Sequence, residues 1–172
     1  VRNKLIVDEG DPYNELLHNK SINELKSMGI FKTVNTEIKE GSNPNTKNLN
    51  ITVEEKPTGE ISLAAGFGTD GGVIGGGLTE KNFLGKGIKL DTNLQFSSEG
   101  VKGSLTYSKP NFNYSDNTLF TSVRSTTTDR KKDFGYESND FGFSFGTKFE
   151  QYENLFFSPE IDLSVEELKT DS

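Results

Sequence analysis

Clustered glycines, a single histidine and a group of carboxylates are the residues of this chain whose types and spacing could support chemistry. Gly71-Gly72 and Gly75-Gly76-Gly77 have the density of a phosphate-cradling loop. No Lys-Ser or Lys-Thr follows them and no helix pattern begins there, so they read as strand or turn glycines. His18, the only histidine, has no second ligand at i+4 and reads as a solvated helix residue rather than a metal ligand. Glu160, Asp162, Glu166 and Glu167 could pass for paired catalytic acids or calcium ligands. Alternation instead puts Glu160, Asp162 and Glu166 on the polar face of one strand, lining a wet interior or a rim. Arg130-Lys131-Lys132-Asp133 is too short and too mixed for a nucleic-acid patch and fits an external loop or turn. With no Ser/His/Asp set and no nucleophile, an enzyme is not expected, and no cofactor or metal is called for.

The elements that would hold these residues change character near residue 57. Asp11-Pro12 resembles a helix start, with Asp as N-cap and Pro at the first helical position. Leu17, Leu25 and Met28 follow at helical spacing, with Ser21 between them, Leu16 and Ile22 flanking, and Gly29 as the left-handed stop. Phe31 to Ile38 and Leu49 to Glu55 read as two strands joined by Gly41-Ser42-Asn43-Pro44-Asn45. Leu49, Ile51 and Val53 alternate with Asn50, Thr52 and Glu54, which gives that strand one buried and one wet face. After Lys56-Pro57-Thr58-Gly59 everything obeys a period of two. Ile61, Leu63, Ala65 and Phe67 alternate with small residues, and Ile88, Leu90, Leu94 and Phe96 with polar ones. The pattern repeats at Val101, Leu105 and Tyr107, at Phe141, Phe143, Phe145 and Phe149, and at Leu155, Phe157, Ile161, Leu163 and Val165. Weaker strands fall at Ile74 to Phe83 and Leu119 to Thr127, making about seven in all.

Composition bounds what such strands can be. No run approaches the roughly 18 to 20 apolar residues of a membrane helix, and mean hydropathy is −0.62. Barrel strands alternate and so look hydrophilic on average, which leaves a transmembrane barrel open. A net charge of −7 argues against nucleic acid or anionic headgroups as partners. The chain has no cysteine, hence no disulfide scaffold or thiol chemistry. It begins Val1-Arg2-Asn3, without an initiator Met or a signal-peptide layout, and reads as cytosolic or as a piece of something longer. Periodicity alone admits two folds: transmembrane barrel strands of about 9 to 11 residues, or a soluble sandwich whose strands are usually about 5 to 6.

Motif order and spacing add a resemblance. Glu9 to Asn14 followed by Ser21 to Val34 resembles the second helix and following strand of the POTRA domain that adjoins the barrel in the BamA family. Val53-Glu54-Glu55-Lys56-Pro57-Thr58-Gly59-Glu60 is similar to that family's domain junction. Gly66-Phe67-Gly68-Thr69 with Glu80-Lys81-Asn82-Phe83-Leu84-Gly85-Lys86-Gly87 resembles its first two barrel strands and their turn, and Tyr107 to Phe112 the turn after the fourth. The likeness covers about residues 1 to 112; beyond them only the alternation continues.

The resemblance implies an N-terminally truncated α+β POTRA domain over residues 1–57, entered at the tail of its first helix over Val1 to Val7. Residues 58–172 would then be antiparallel transmembrane β-barrel strands, about seven of the family's sixteen. It implies assembly of β-barrel proteins in the outer membrane of a Gram-negative-type bacterium, with the POTRA part in the periplasm. Partners would be unfolded outer-membrane proteins, accessory assembly lipoproteins, periplasmic chaperones and outer-membrane lipid, but no nucleic acid. A POTRA-containing secretion pore and a passive porin-like channel are the alternatives. The implied working element is a seam edge strand of Glu60, Ile61, Ser62, Leu63, Ala64, Ala65, Gly66, Phe67, Gly68 and Thr69, paired more weakly to the closing strand than to its neighbour. Glu9, in the turn Asp8-Glu9-Gly10-Asp11, matches the position where an accessory lipoprotein docks. Ile61, Leu63, Leu90, Leu94, Leu105, Phe143, Phe145, Ile161 and Leu163 are expected on one outward face.

Overall fold

The computed structural model describes residues 1–7, 9–43, 45–68 and 71–170. The side chains of Asn3 and Tyr114 lie outside the description, as do the expectations that fall on Asp8, Pro44 and Thr69. The chain divides into two compact units, Val1–Thr58 and Gly59–Ser172.

In the first unit a 3-10 turn at Arg2–Lys4 stands where the tail of a helix was expected. One helix follows, α1 (Glu15–Ser27), then a hairpin of β1 (Phe31–Glu40) and β2 (Lys47–Glu55). The helix starts later than Asp11-Pro12 suggested. Asn14 is the N-cap, extended at φ −130°, and its side chain accepts from the Leu17 N–H at 3.2 Å. Its buried stripe is also rotated from the leucine pattern: His18, Ser21, Ile22 and Leu25 face inward, whereas Leu16 and Leu17 are exposed. Those four positions have the i, i+3, i+4, i+7 spacing of one helix face. Polar members are tolerated because each finds a partner. Ser21 Oγ accepts from the Ile6 N–H and donates to the Leu17 carbonyl, both at 2.9 Å, which ties the N-terminal segment to the helix. Gly29 ends the helix at φ +68°, as its position suggested.

The second unit is one antiparallel sheet. Its strands are β3 (Gly59–Gly68), β4 (Gly71–Phe83), β5 (Ile88–Ser97), β6 (Gly100–Lys109), β7 (Thr118–Arg130), β8 (Tyr136–Tyr152), β9 (Leu155–Phe157) and β10 (Glu160–Thr170). The spatial order is β10-β8-β7-β6-β5-β4-β3, with β9 beside the end of β8, so sequence neighbours pair. A tight turn joins β4 to β5: Asn82 accepts the Gly85 N–H on its carbonyl at 2.9 Å and the Gly87 N–H on its side chain at 2.8 Å. At the other end of the sheet a four-residue helix, α2 (Lys131–Phe134), joins β7 to β8. The expected final strand over Leu155 to Val165 is divided. Pro159 has no N–H to give a ladder, and Ser158-Pro159 separates β9 from β10. The register nevertheless runs on, from Phe149 opposite Phe157 to Gly146 opposite Glu160.

Register fixes the faces. Ile61, Leu78, Thr92, Leu105, Val123, Phe143 and Leu163 follow one another across the sheet, as do Leu63, Gly76, Leu94 and Gly103. All nine residues expected on one outward face share this side, and all but the half-buried Leu90 are exposed. The opposite side carries the polar residues and many of the glycines. Among the described residues of this unit no second sheet lies against either face.

Candidate functional site

An antiparallel strand satisfies every other N–H and C=O pair through each neighbour, so a strand with one neighbour presents half its backbone groups to any extended chain that approaches. β3 and β10 are such strands, at the two ends of the described sheet. β3 pairs with β4 from Gly59 opposite Glu80 to Gly68 opposite Gly71, and with no other strand among the described residues. Every described residue of the expected edge, Glu60 to Gly68, lies on it and is exposed. Ile61, Leu63 and Phe67 are 80%, 85% and 96% accessible. The other edge is β10, which among the described residues pairs with β8 alone.

The inner side of the edge strand is sparsely filled. From Ser62 to Gly68 its partners on β4 are Gly77, Gly76, Gly75, Ile74, Val73, Gly72 and Gly71. On the apolar face Leu63 folds over Gly76, where a Cβ would sit 3.1 Å from its Cδ2, and Phe67 lies over Gly72. Where the strand begins, the Glu60 carboxylate pairs with the Lys81 ammonium. Next along the polar face, Thr79 Oγ1 donates to Asp91 at 2.8 Å and Lys89 pairs with the same carboxylate at 2.8 Å.

Sequence reasoning missed a second polar-face assembly. Arg124 on β7 donates through Nη2 to Asp162 Oδ1 on β10 at 2.8 Å, crossing β8, and its Nε lies 3.5 Å from Asp140 on β8. The crossing is possible because Gly142 stands opposite Arg124: a Cβ there would lie 2.7 Å from the Arg124 Nε. A lone basic residue facing a glycine two residues from an aspartate was the available signal, but it needs the register to be read. Asp162 is thus an ion-pair partner, while Glu160 and Glu166 share its face; no group of three or more possible metal ligands occurs among the described residues.

In the first unit Glu9 is on the surface, 3.2 Å from Arg2 Nη2, with both side chains almost fully exposed. His18 is not the solvated residue expected. It is 4% accessible, and its Nε2 lies 3.0 Å from Thr36 Oγ1 on β1. A helix residue whose polar tip meets a strand hydroxyl keeps a hydrogen-bond partner when buried, and the sequence gives no sign of that partner.

These features define a class: a small α+β domain followed by an antiparallel sheet with one apolar face and a first strand paired largely with glycines. Residues 1–56 match the family model "POTRA: Surface antigen variable number repeat". The chain is 28% identical over 114 residues to the outer membrane protein assembly factor BamA of Neisseria meningitidis, and 28% over 110 residues to that of Neorickettsia risticii. These alignments cover 65% and 63% of this chain but only 14% and 15% of the relatives, so it spans about a seventh of their length. Its fold matches the crystal structure of BamA from Haemophilus ducreyi lacking POTRA domains 1-3, with a TM-score of 0.86 and 22% identity over 98% of this chain and 33% of that one. Residues 1–56 are thus similar to a POTRA repeat, and the chain resembles the BamA proteins in sequence and in fold.

Proposed function

We propose that this chain serves the assembly of β-barrel proteins in the bacterial outer membrane, with β3 as the working edge. Hydrocarbon cannot satisfy a backbone N–H or C=O, so a nascent barrel must pair its strands as it enters. A first strand whose seam to the closing strand can open would supply that pairing by β-augmentation. The single observation that carries the reading is the sparse side-chain pairing of β3, whose residues from Ser62 to Gly68 meet Gly77, Gly76, Gly75, Ile74, Val73, Gly72 and Gly71 on β4. Its outward residues Ile61, Leu63 and Phe67 match the apolar face of the sheet, so a client strand docked there would continue the same lipid-facing surface. The POTRA unit would work in the periplasm, receiving unfolded outer-membrane proteins, their chaperones and accessory lipoproteins, with Glu9 as one contact. The reading contains no enzymatic step and calls for no cofactor.

A passive porin-like channel would leave a POTRA unit without a task. The assembly reading is preferred to a secretion pore because the matched relatives are named as assembly factors. The test is a cysteine pair joining Leu63 to the closing strand of the full-length protein. Oxidation should abolish barrel assembly and reductant should restore it. If the locked protein assembled clients at the normal rate, edge templating would be wrong.

A further inference from the structure

Side-chain pairing along the β3–β4 ladder is uneven, and the unevenness has a direction. Where β3 begins, Ile61 stands opposite Leu78, and Glu60 opposite Thr79. Lys81, one residue past the end of the β3–β4 register, reaches back to the Glu60 carboxylate. Beyond Leu63, only Ala65 opposite Ile74 sets two side chains directly against each other. Phe67 reaches Gly72 through ring contact alone, and the space beside Gly66 and Gly68 is open. Charged and apolar cross-strand pairs therefore hold the start of the strand, while the far end is held by backbone hydrogen bonds.

We propose that Lys81 is a positioning residue for the edge strand: paired with Glu60, it anchors the start of β3, so that β3 loosens from β4 first at Gly66–Gly68. The direction of loosening belongs to the β3–β4 pair itself and does not depend on the edge-templating function proposed above.

Hydrogen–deuterium exchange, resolved by residue on the full-length protein in lipid nanodiscs without client, tests it. The β4-bonded amides of Ala65 to Gly68 should exchange faster than those of Glu60 to Leu63. An exposed ion pair is modest in strength, so Lys81→Gln should speed exchange at Glu60 to Leu63 by about two- to fivefold. It should leave the far end unchanged. Lys81→Arg, which keeps the charge, should restore the wild-type pattern. Gly66→Val, placed where there is room and opposite Val73, should slow exchange at the far end. Uniform exchange along β3, or a Lys81→Gln protein with an unaltered start, would overturn the anchor. Because exchange is read without client, those results stand apart from any assembly assay. Loss of assembly with the gradient intact would count against the function of the edge and leave the anchor in place.

Discussion

Individual residues were legible where their role depends on local chain chemistry, and not where it depends on a distant partner. Gly29 ends α1 as its type suggests, because only the backbone decides a left-handed stop. The N-cap shifted from Asp11 to Asn14 because Pro12, Tyr13 and Asn14 precede the helix and the Asn14 side chain reaches Leu17. His18 was misread because the hydroxyl that accompanies it lies 18 residues away on β1. Removing a buried hydrogen-bonding ring leaves a gap and breaks that contact, so His18→Ala should destabilise the first unit by about 1–3 kcal/mol in urea titration. An unchanged midpoint would mean the ring contributes nothing to the core. Glu9 makes a contrasting case. It is exposed beside Arg2, so Glu9→Lys should leave that midpoint alone while weakening co-purification of the accessory lipoprotein; undiminished recovery would remove Glu9 from the contact.

At the scale of elements, the strands declared themselves through alternation, since a period of two cannot be confused with a helical stripe. The break at Pro159 was visible as a proline, yet the continuing register across it was not. What alternation also leaves open is how strands grip one another. Two glycines of β8 act as gaps into which β7 inserts side chains: Arg124 passes over Gly142, and the Phe120 ring lies over Gly146. Large-on-glycine pairing of this kind fixes register, because a slip of two residues would put Ser144 under the arginine or the ring. Gly142→Ala should therefore push Arg124 away from Asp162 and cost about 1–3 kcal/mol, as overpacking does. Asp162→Ala, which removes one partner of a part-exposed pair, should cost about 1 kcal/mol or less. In the double variant Arg124 is free to move aside, so the two effects should sum to less than their separate values. Strict additivity in denaturant unfolding from micelles would show that the crossing arginine and the glycine are independent.

At the scale of the whole sheet, one face is apolar from β3 to β10 and the other polar, and the sequence marked both correctly. Alternation could not decide what covers the apolar face, because a sandwich and a barrel need the same pattern. The structure narrows the choice: the strands form one sheet of sequential neighbours, and among the described residues of the unit no second sheet packs on Leu63, Leu94, Leu105, Phe143 or Leu163. Water is a poor partner for so continuous a surface. Exposed apolar patches on soluble monomers are rarely larger than a few hundred Å², and the proposed function has hydrocarbon cover this one. Adjacent residues on β6 test it. Leu105, facing the apolar side between Thr92 and Val123, and Thr106, facing the polar side between Asp91 and Ser122, sit at nearly the same height in the sheet. An arginine at a lipid-facing position near the bilayer midplane costs about 2–4 kcal/mol, whereas interior-facing positions tolerate it. Leu105→Arg should accordingly lower the stability of the protein in liposomes by about that amount. Thr106→Arg, with the Asp91 carboxylate opposite, should change it little. Equal penalties at the two positions would mean that lipid does not cover the apolar face, and the bilayer assignment of the sheet would fall with it.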